Sequence, residues 1–132
     1  MELDLLLQLN RYINNQKPFA SSIIGVLNAV ESISVMAMPG GAETVYFDGT
    51  RDKQQQVQIN AKSKKQNNCI DFLNTIFQKL ENLSDLPSEN GSYMFNDIRI
   101  AGMPSLILID EQGYFIYQLS ISVQITIEKG VA

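Results

Sequence analysis

Apolar side chains recur along this chain with two periods, one near 3.6 residues and one of two, the signatures of amphipathic helix and half-buried strand. Glu2 to about Gln16 shows the first. Leu3, Leu6, Leu7 and Ile13 fall at helical spacing, and Leu5, Leu9 and Tyr12 widen the face. Glu2 and Asp4 are expected in the first turn, where the helix dipole favours negative charge, and Pro18 stops the helix after Asn14 and Asn15. Phe19 to Val30 fits two readings, a short helical turn or a buried strand through Ile23, Ile24, Val26 and Leu27, and Gly25 weakens both.

The period of two takes over at Ser32 to Met38, where Ile33 and Val35 alternate with Ser32 and Ser34. Pro39-Gly40-Gly41 is expected as a turn, Glu43 to Phe47 as the hairpin partner of that strand, and Asp48-Gly49 as a second turn. Lys53 to Lys62 places Val57, Ile59 and Ala61 on one face and Gln56, Gln58, Asn60 and Lys62 on the other. Ser63 is expected to cap a second helix reaching about Leu83, with Ile70, Leu73, Ile76, Phe77 and Leu80 inward. After a loop at Leu86 to Gly91 come a strand from Tyr93 to Ala101, a short apolar strand from Ser105 to Ile109 and a turn at Glu111-Gln112-Gly113. The closing strand alternates Leu119, Ile121, Val123, Ile125 and Ile127 with Ser120, Ser122, Gln124, Thr126 and Glu128, and Lys129-Gly130 ends it. Helices set apart from runs of strands predict one α+β domain over residues 1–132, a mostly antiparallel sheet with two main helices packed on one face.

Composition narrows the chemistry. At 132 residues and 45% apolar content the chain can bury a core without staples, and no apolar run approaches the ~20 residues that span a bilayer. Acids stand near the N-terminus where a secretion signal carries Lys or Arg, so a cytoplasmic site of synthesis is expected. There is no histidine, which removes Ser-His and Cys-His catalysis and most zinc chemistry at once. Cys69 is the single cysteine and sits beside the apolar stripe of the second helix, as a core thiol does. The sequence therefore predicts a non-enzymatic protein with no cofactor and no metal.

Charge is segregated. Arg51 to Lys65 carries five bases against Asp52 alone, while Gln66 to Glu128 carries eight acids against two bases. Such polarity suits contact between neighbouring copies, and it suits equally a solvated strand end. The basic run includes Arg51, Lys53, Lys62, Lys64 and Lys65, and these residues with Phe115 and Tyr117 are the candidate contact residues. Sequence-specific nucleic-acid binding is opposed by the acidic total, and by the lack of stacking aromatics around the lysines. Glu43, Asp48 and Asp52 fail the spacing of a calcium loop, and Asp110-Glu111 reads as a turn. The Asn and Gln residues, eleven of each, read as a polar surface.

Taken together, the leading helix, the Asp48-Gly49 turn, the segment RDKQQQVQINAKSKK from Arg51 to Lys65, the helix after it and the long closing strand resemble the minor capsid and tail-completion proteins of long-tailed phages. The likeness is to tail terminators of phages and prophages of low-GC Gram-positive bacteria. It implies an α+β subunit of the virion, assembled in the bacterial cytoplasm into a hexameric ring at the head-proximal end of the tail. Its implied partners are copies of itself, the tail-tube protein and the head connector or completion protein, and no catalytic residue comes with it. Three other readings remain: a head-completion, neck or tail-tube subunit; a small ligand-binding module with Tyr93, Met94, Phe95 and Met103 around an apolar pocket; and an enzyme working through Asp97 or Asp110.

Overall fold

A computed structural model describes residues 2–128; the expected strand end at Lys129-Gly130 lies outside the described residues. The first helix, α1 (Leu5–Asn15), buries Leu5, Leu9 and Ile13 at successive i, i+4 positions. Its first turn carries no acid, because Asp4 is the N-cap residue, and the Asp4 carboxylate makes no capping bond to the helix N–H groups. The ambiguous segment resolves as a strand, β1 (Ser22–Ile24). Asn14 fixes its position: the Asn14 amide donates to the Ser22 carbonyl at 3.1 Å and its Oδ1 accepts from the Ser22 N–H at 2.8 Å.

β2 (Ser32–Met38), β3 (Glu43–Val45) and β4 (Arg51–Ser63) follow, then α2 (Gln66–Glu81), β5 (Met94–Ile109) and β6 (Phe115–Ile127). The sheet runs β1-β2-β4-β6-β5, with β3 also on β4. All its pairings are antiparallel except β1 with β2. The last strand therefore lies inside the sheet, between β4 and β5. Register rows cross it completely: Ser22, Ile33, Ala61, Tyr117 and Leu106 stand side by side, so β1 and the far half of β5 sit at one level on opposite edges.

Odd-numbered positions of the central strands form the core face, with Ile33 and Val35 on β2, Val57, Ile59 and Ala61 on β4, and Leu119 to Ile127 on β6. Both helices lie against this face. α2 adds Cys69, Phe72, Leu73, Ile76 and Leu80 to the same cluster that α1 enters. The even positions carry amides and hydroxyls that bond one another across strands. Asn60 donates to Ser34 at 3.2 Å, Gln118 to Asn60 at 3.4 Å and Gln56 to Ser122 at 3.4 Å. The observed fold is α+β, a mostly antiparallel six-stranded sheet with two helices on one face.

Four details differ from the sequence expectations. β3 pairs with β4, not β2, because a 13-residue β4 has room for β2 and β3 end to end along one edge. The chain passes from β2 to β3 without reversing, through Gly40 and Gly41 at φ 99° and 89°, and a Cβ on Gly41 would meet the Gln54 carbonyl oxygen at 2.1 Å. Gly102-Met103-Pro104 does not divide two strands, since register shifts on either side of Gly102 carry β5 through as one 16-residue strand. Ser63 is the last residue of β4, and Lys65 is the N-cap of α2; the Ser63 hydroxyl accepts from the Lys65 N–H at 3.0 Å and from the Asn68 amide at 3.2 Å. Finally, Asp4 ties the N-terminus to the loop before β5. Its carboxylate accepts from the Ser88 and Ser92 hydroxyls at 2.6 and 3.0 Å, and from the Glu89 and Asn90 N–H groups at 2.8 and 3.1 Å.

Candidate assembly surfaces

The basic residues that are neighbours in sequence are separated by the length of β4. Arg51 and Lys53 stand at one end and Lys62, Lys64 and Lys65 at or beyond the other, roughly 36 Å away at a strand's rise of ~3.3 Å per residue. At the first end Arg51 pairs with Glu43 at 3.2 Å. The Tyr46 hydroxyl donates to Asp52 at 2.7 Å, and the Thr126 hydroxyl donates to the same carboxylate at 2.7 Å, which lowers the Asp52 pKa. Asp48 accepts from the N–H and hydroxyl of Thr50 and so closes the β3–β4 turn. The three acids that might have gathered around a cation are thus each engaged separately. No group of three or more His, Cys, Asp or Glu arranged for a metal is found among the described residues. At the tip of this hairpin Phe47 is fully exposed beside Tyr46 and Val45.

At the other end Lys62 is used within the subunit and is only 8% exposed. Its Nζ donates to the Asn28 carbonyl at 3.1 Å, pairs with Asp110 at 3.4 Å and lies 5.0 Å from the Tyr114 ring centre. Lys64 approaches the same ring at 5.2 Å, while its N–H donates to Glu31. Lys65 remains exposed. Of the two aromatic candidates, Tyr117 is buried at 8% exposure and accepts a hydrogen bond from Gln66, while Phe115 packs on the core with its carbonyl facing the Cys69 thiol.

The residues of the alternative readings are dispersed as well. Tyr93 is buried with its hydroxyl on the Leu86 carbonyl at 2.7 Å, Phe95 lies opposite Ile125, and Met94 and Met103 are exposed at separate points of β5. Asp97 is exposed and pairs with Arg99 at 3.6 Å. Asp110 accepts from the Tyr114 and Gln112 N–H groups and its pKa is lowered, first by Tyr114, so it is a turn-closing anion at neutral pH. Burial pushes the Cys69 thiol up to about 11, which keeps it protonated and unreactive.

What the pattern of charges and aromatics did not reveal is the edge of the sheet. Beyond the irregularity at Gly102, Leu106, Ile107, Leu108 and Ile109 are each between 45% and 54% exposed, with Met103 beside them. Their signal in the sequence is an apolar run that does not alternate, which usually marks a strand covered on both faces. Here β5 is the edge strand and its second side is open. No helix among the described residues is long and apolar enough to cross a membrane.

Comparison with known proteins gives one result in agreement with this arrangement. A family profile described as bacteriophage tail terminator protein matches residues 12–127, from within α1 to the end of β6. No curated protein matches the chain.

Proposed function

The chain belongs to the bacteriophage tail terminator family, a structural component of phage tails, and from that premise we propose that it forms a ring which ends growth of the tail tube and joins the tail to the head. The observation that carries this reading is the family match, which spans the whole sheet and α2. Two physical features support it. Arg51 with Glu43, Lys62 with Asp110 and Asp48 with Thr50 are engaged within the subunit as structural pairs, which suits a protein that fits against partners through shape. The two ends of its sheet are unlike, a short parallel strand at one and a long apolar strand at the other. A closed ring needs two different surfaces of this kind on each copy.

In this reading the partners are copies of the chain, the tail-tube protein and the head connector, and the protein resides in the virion. Arg51 and Lys53 at one end of β4, and Lys64 and Lys65 at the other, supply charge toward the two axial neighbours. Deleting the gene from its phage tests the proposal by electron microscopy of the lysate. Tubes of uncontrolled length and heads without tails are expected, whereas normal-length tails attached to heads would refute it. Purified protein that polymerises into tubes by itself would instead identify a tube subunit.

A further inference from the structure

The apolar half of β5 is the most conspicuous surface left without an explanation. Monomers rarely leave large contiguous apolar strips open, and β5 offers five large aliphatic side chains, Met103 and Leu106 to Ile109, in seven residues. At about half exposure each, they amount to on the order of 500 Å² shared between the two faces of this edge, over half of the ~800 Å² that each partner contributes to a stable interface. No charged side chain interrupts it between Gly102 and Ile109. Edge strands of soluble proteins normally carry such charges to repel other chains. The only protections are Pro104 and the register shifts, which disfavour open-ended strand pairing and leave the side chains uncovered.

The opposite edge of the same sheet provides a match. Ile24 is exposed on β1 itself, and Val26 and Val30 are exposed in the crossover that follows it, Val26 at 72%. The register rows fix their height. Ser22 shares a row with Leu106, and Ile24 shares one with Leu119, which faces the irregular segment between Gly102 and Ser105. Val26 and Val30 lie in the crossover from β1 to β2, which leads back to the row of Ser32 and Lys62. Rotation about an axis along the strands preserves height, so one copy's apolar β5 edge comes level with the next copy's β1 and Ile24, from which the crossover carrying Val26 and Val30 departs. Because β1 and β5 run in opposite directions, such neighbours meet antiparallel. The Asn14 amide already occupies the Ser22 N–H and carbonyl, so the joint is chiefly aliphatic packing rather than an extended ladder.

We propose that the Met103–Ile109 edge of β5 docks onto the Ile24, Val26 and Val30 edge of a second copy, and that this unlike pair of edges is the joint between ring subunits. The proposal rests on the ring reading above and specifies its contact. The test uses Ile107→Lys and Val26→Lys in the full chain, with assembly followed by native mass measurement and sedimentation at tens of micromolar, alone and with the tail-tube protein of the same phage. Each variant alone is expected to lose rings and remain monomeric, its association weakened about 30-fold or more, as for loss of a hot-spot contact. Mixed together they should form heterodimers and stop there, since each retains one intact edge. Both positions are exposed, and each variant should melt like the parent; Leu108→Glu and Ile24→Glu replace any that does not.

Rings formed by either variant alone, or a mixture that stays monomeric, would overturn the edge assignment while leaving the ring intact as a function. Self-pairing of Val26→Lys would overturn it too, by showing that β5 meets β5. A parent chain that stays monomeric under both conditions would remove the ring itself, and the proposal with it.

Discussion

Replacing Asp4 by alanine should cost the folded chain about 2 kcal/mol, far more than its place in a short N-terminal lead suggests. The carboxylate accepts four short hydrogen bonds from Ser88, Glu89, Asn90 and Ser92, at 2.6 to 3.1 Å, and a longer one at 3.4 Å from the Gln8 amide. The Asp4 N–H returns one to the Ser92 hydroxyl at 3.1 Å. A shielded hydrogen bond to a charged group contributes about 1.5–3 kcal/mol, but Asp4 is partly solvated and water can reach the loop, so ~0.5 kcal/mol for each of the four is the reasonable figure. For a chain of this length, about 2 kcal/mol lowers the melting temperature by roughly 7 °C. Urea denaturation of the parent and the variant at neutral pH measures the difference directly.

The same clasp predicts a pH dependence. Burial raises the Asp4 pKa, but the hydrogen bonds from Ser88, Asn90, Ser92 and Glu89 outweigh it and the net shift is downward. A carboxyl whose pKa is lower folded than unfolded contributes stability above its unfolded value of about 3.9, and loses it as the pH falls through the folded value. The gap between parent and variant should therefore be full at pH 6 and close in acid. A difference below ~0.5 kcal/mol at neutral pH, or a gap that widens on acidification, would refute the account.

Four further outcomes follow from single positions. Gly41→Ala should destabilise by about 2–3 kcal/mol in urea, since it combines a left-handed backbone with a Cβ driven into the Gln54 carbonyl. Gly113→Ala, equally left-handed with open space around it, should cost only about 1 kcal/mol. Tyr93→Phe should cost about 1–2 kcal/mol in thermal melts by leaving the buried Leu86 carbonyl unpaired, and an equally stable variant would show that water replaces the hydroxyl. Cys69 should resist a thiol reagent at pH 8 in the native protein and react fully in denaturant, because its burial and raised pKa suppress the thiolate together.

Where one periodicity held without interruption, the sequence was a good guide to the fold. Ser32–Met38 matches β2 at both ends, and the alternation from Leu119 to Ile127 assigns the inward residues of that part of β6. Both helices were legible from their stripes, although α1 begins at Leu5 and α2 ends at Glu81, inside the expected limits. Pairing was less legible than element type. Nothing local in Glu43-Thr44-Val45 distinguishes β2 from β4 as its neighbour, because the choice depends on the length of β4 and on whether two glycines turn the chain or let it continue. Residues 102–104 misled for a related reason: Gly and Pro punctuate a strand in sequence, but an edge strand can absorb both. The placement of the candidate contact residues was the least legible. Charge proximity along the chain gathered Arg51 with Lys65, which an extended strand separates, and Tyr117 has an amphipathic side chain whose burial is set by its row in the sheet.

The position of β6 has a consequence for how the protein is made. β6 follows every other described strand in the chain yet is inserted between β4 and β5, and its partner rows on β4 join residues 52 to 76 positions apart. Until residue 127 has left the ribosome, β5 has no strand to pair with and the inner edge of β4 stays open, so the two parts of the sheet are joined late. A chain cut short before β6 therefore keeps β1 to β4 apart from β5.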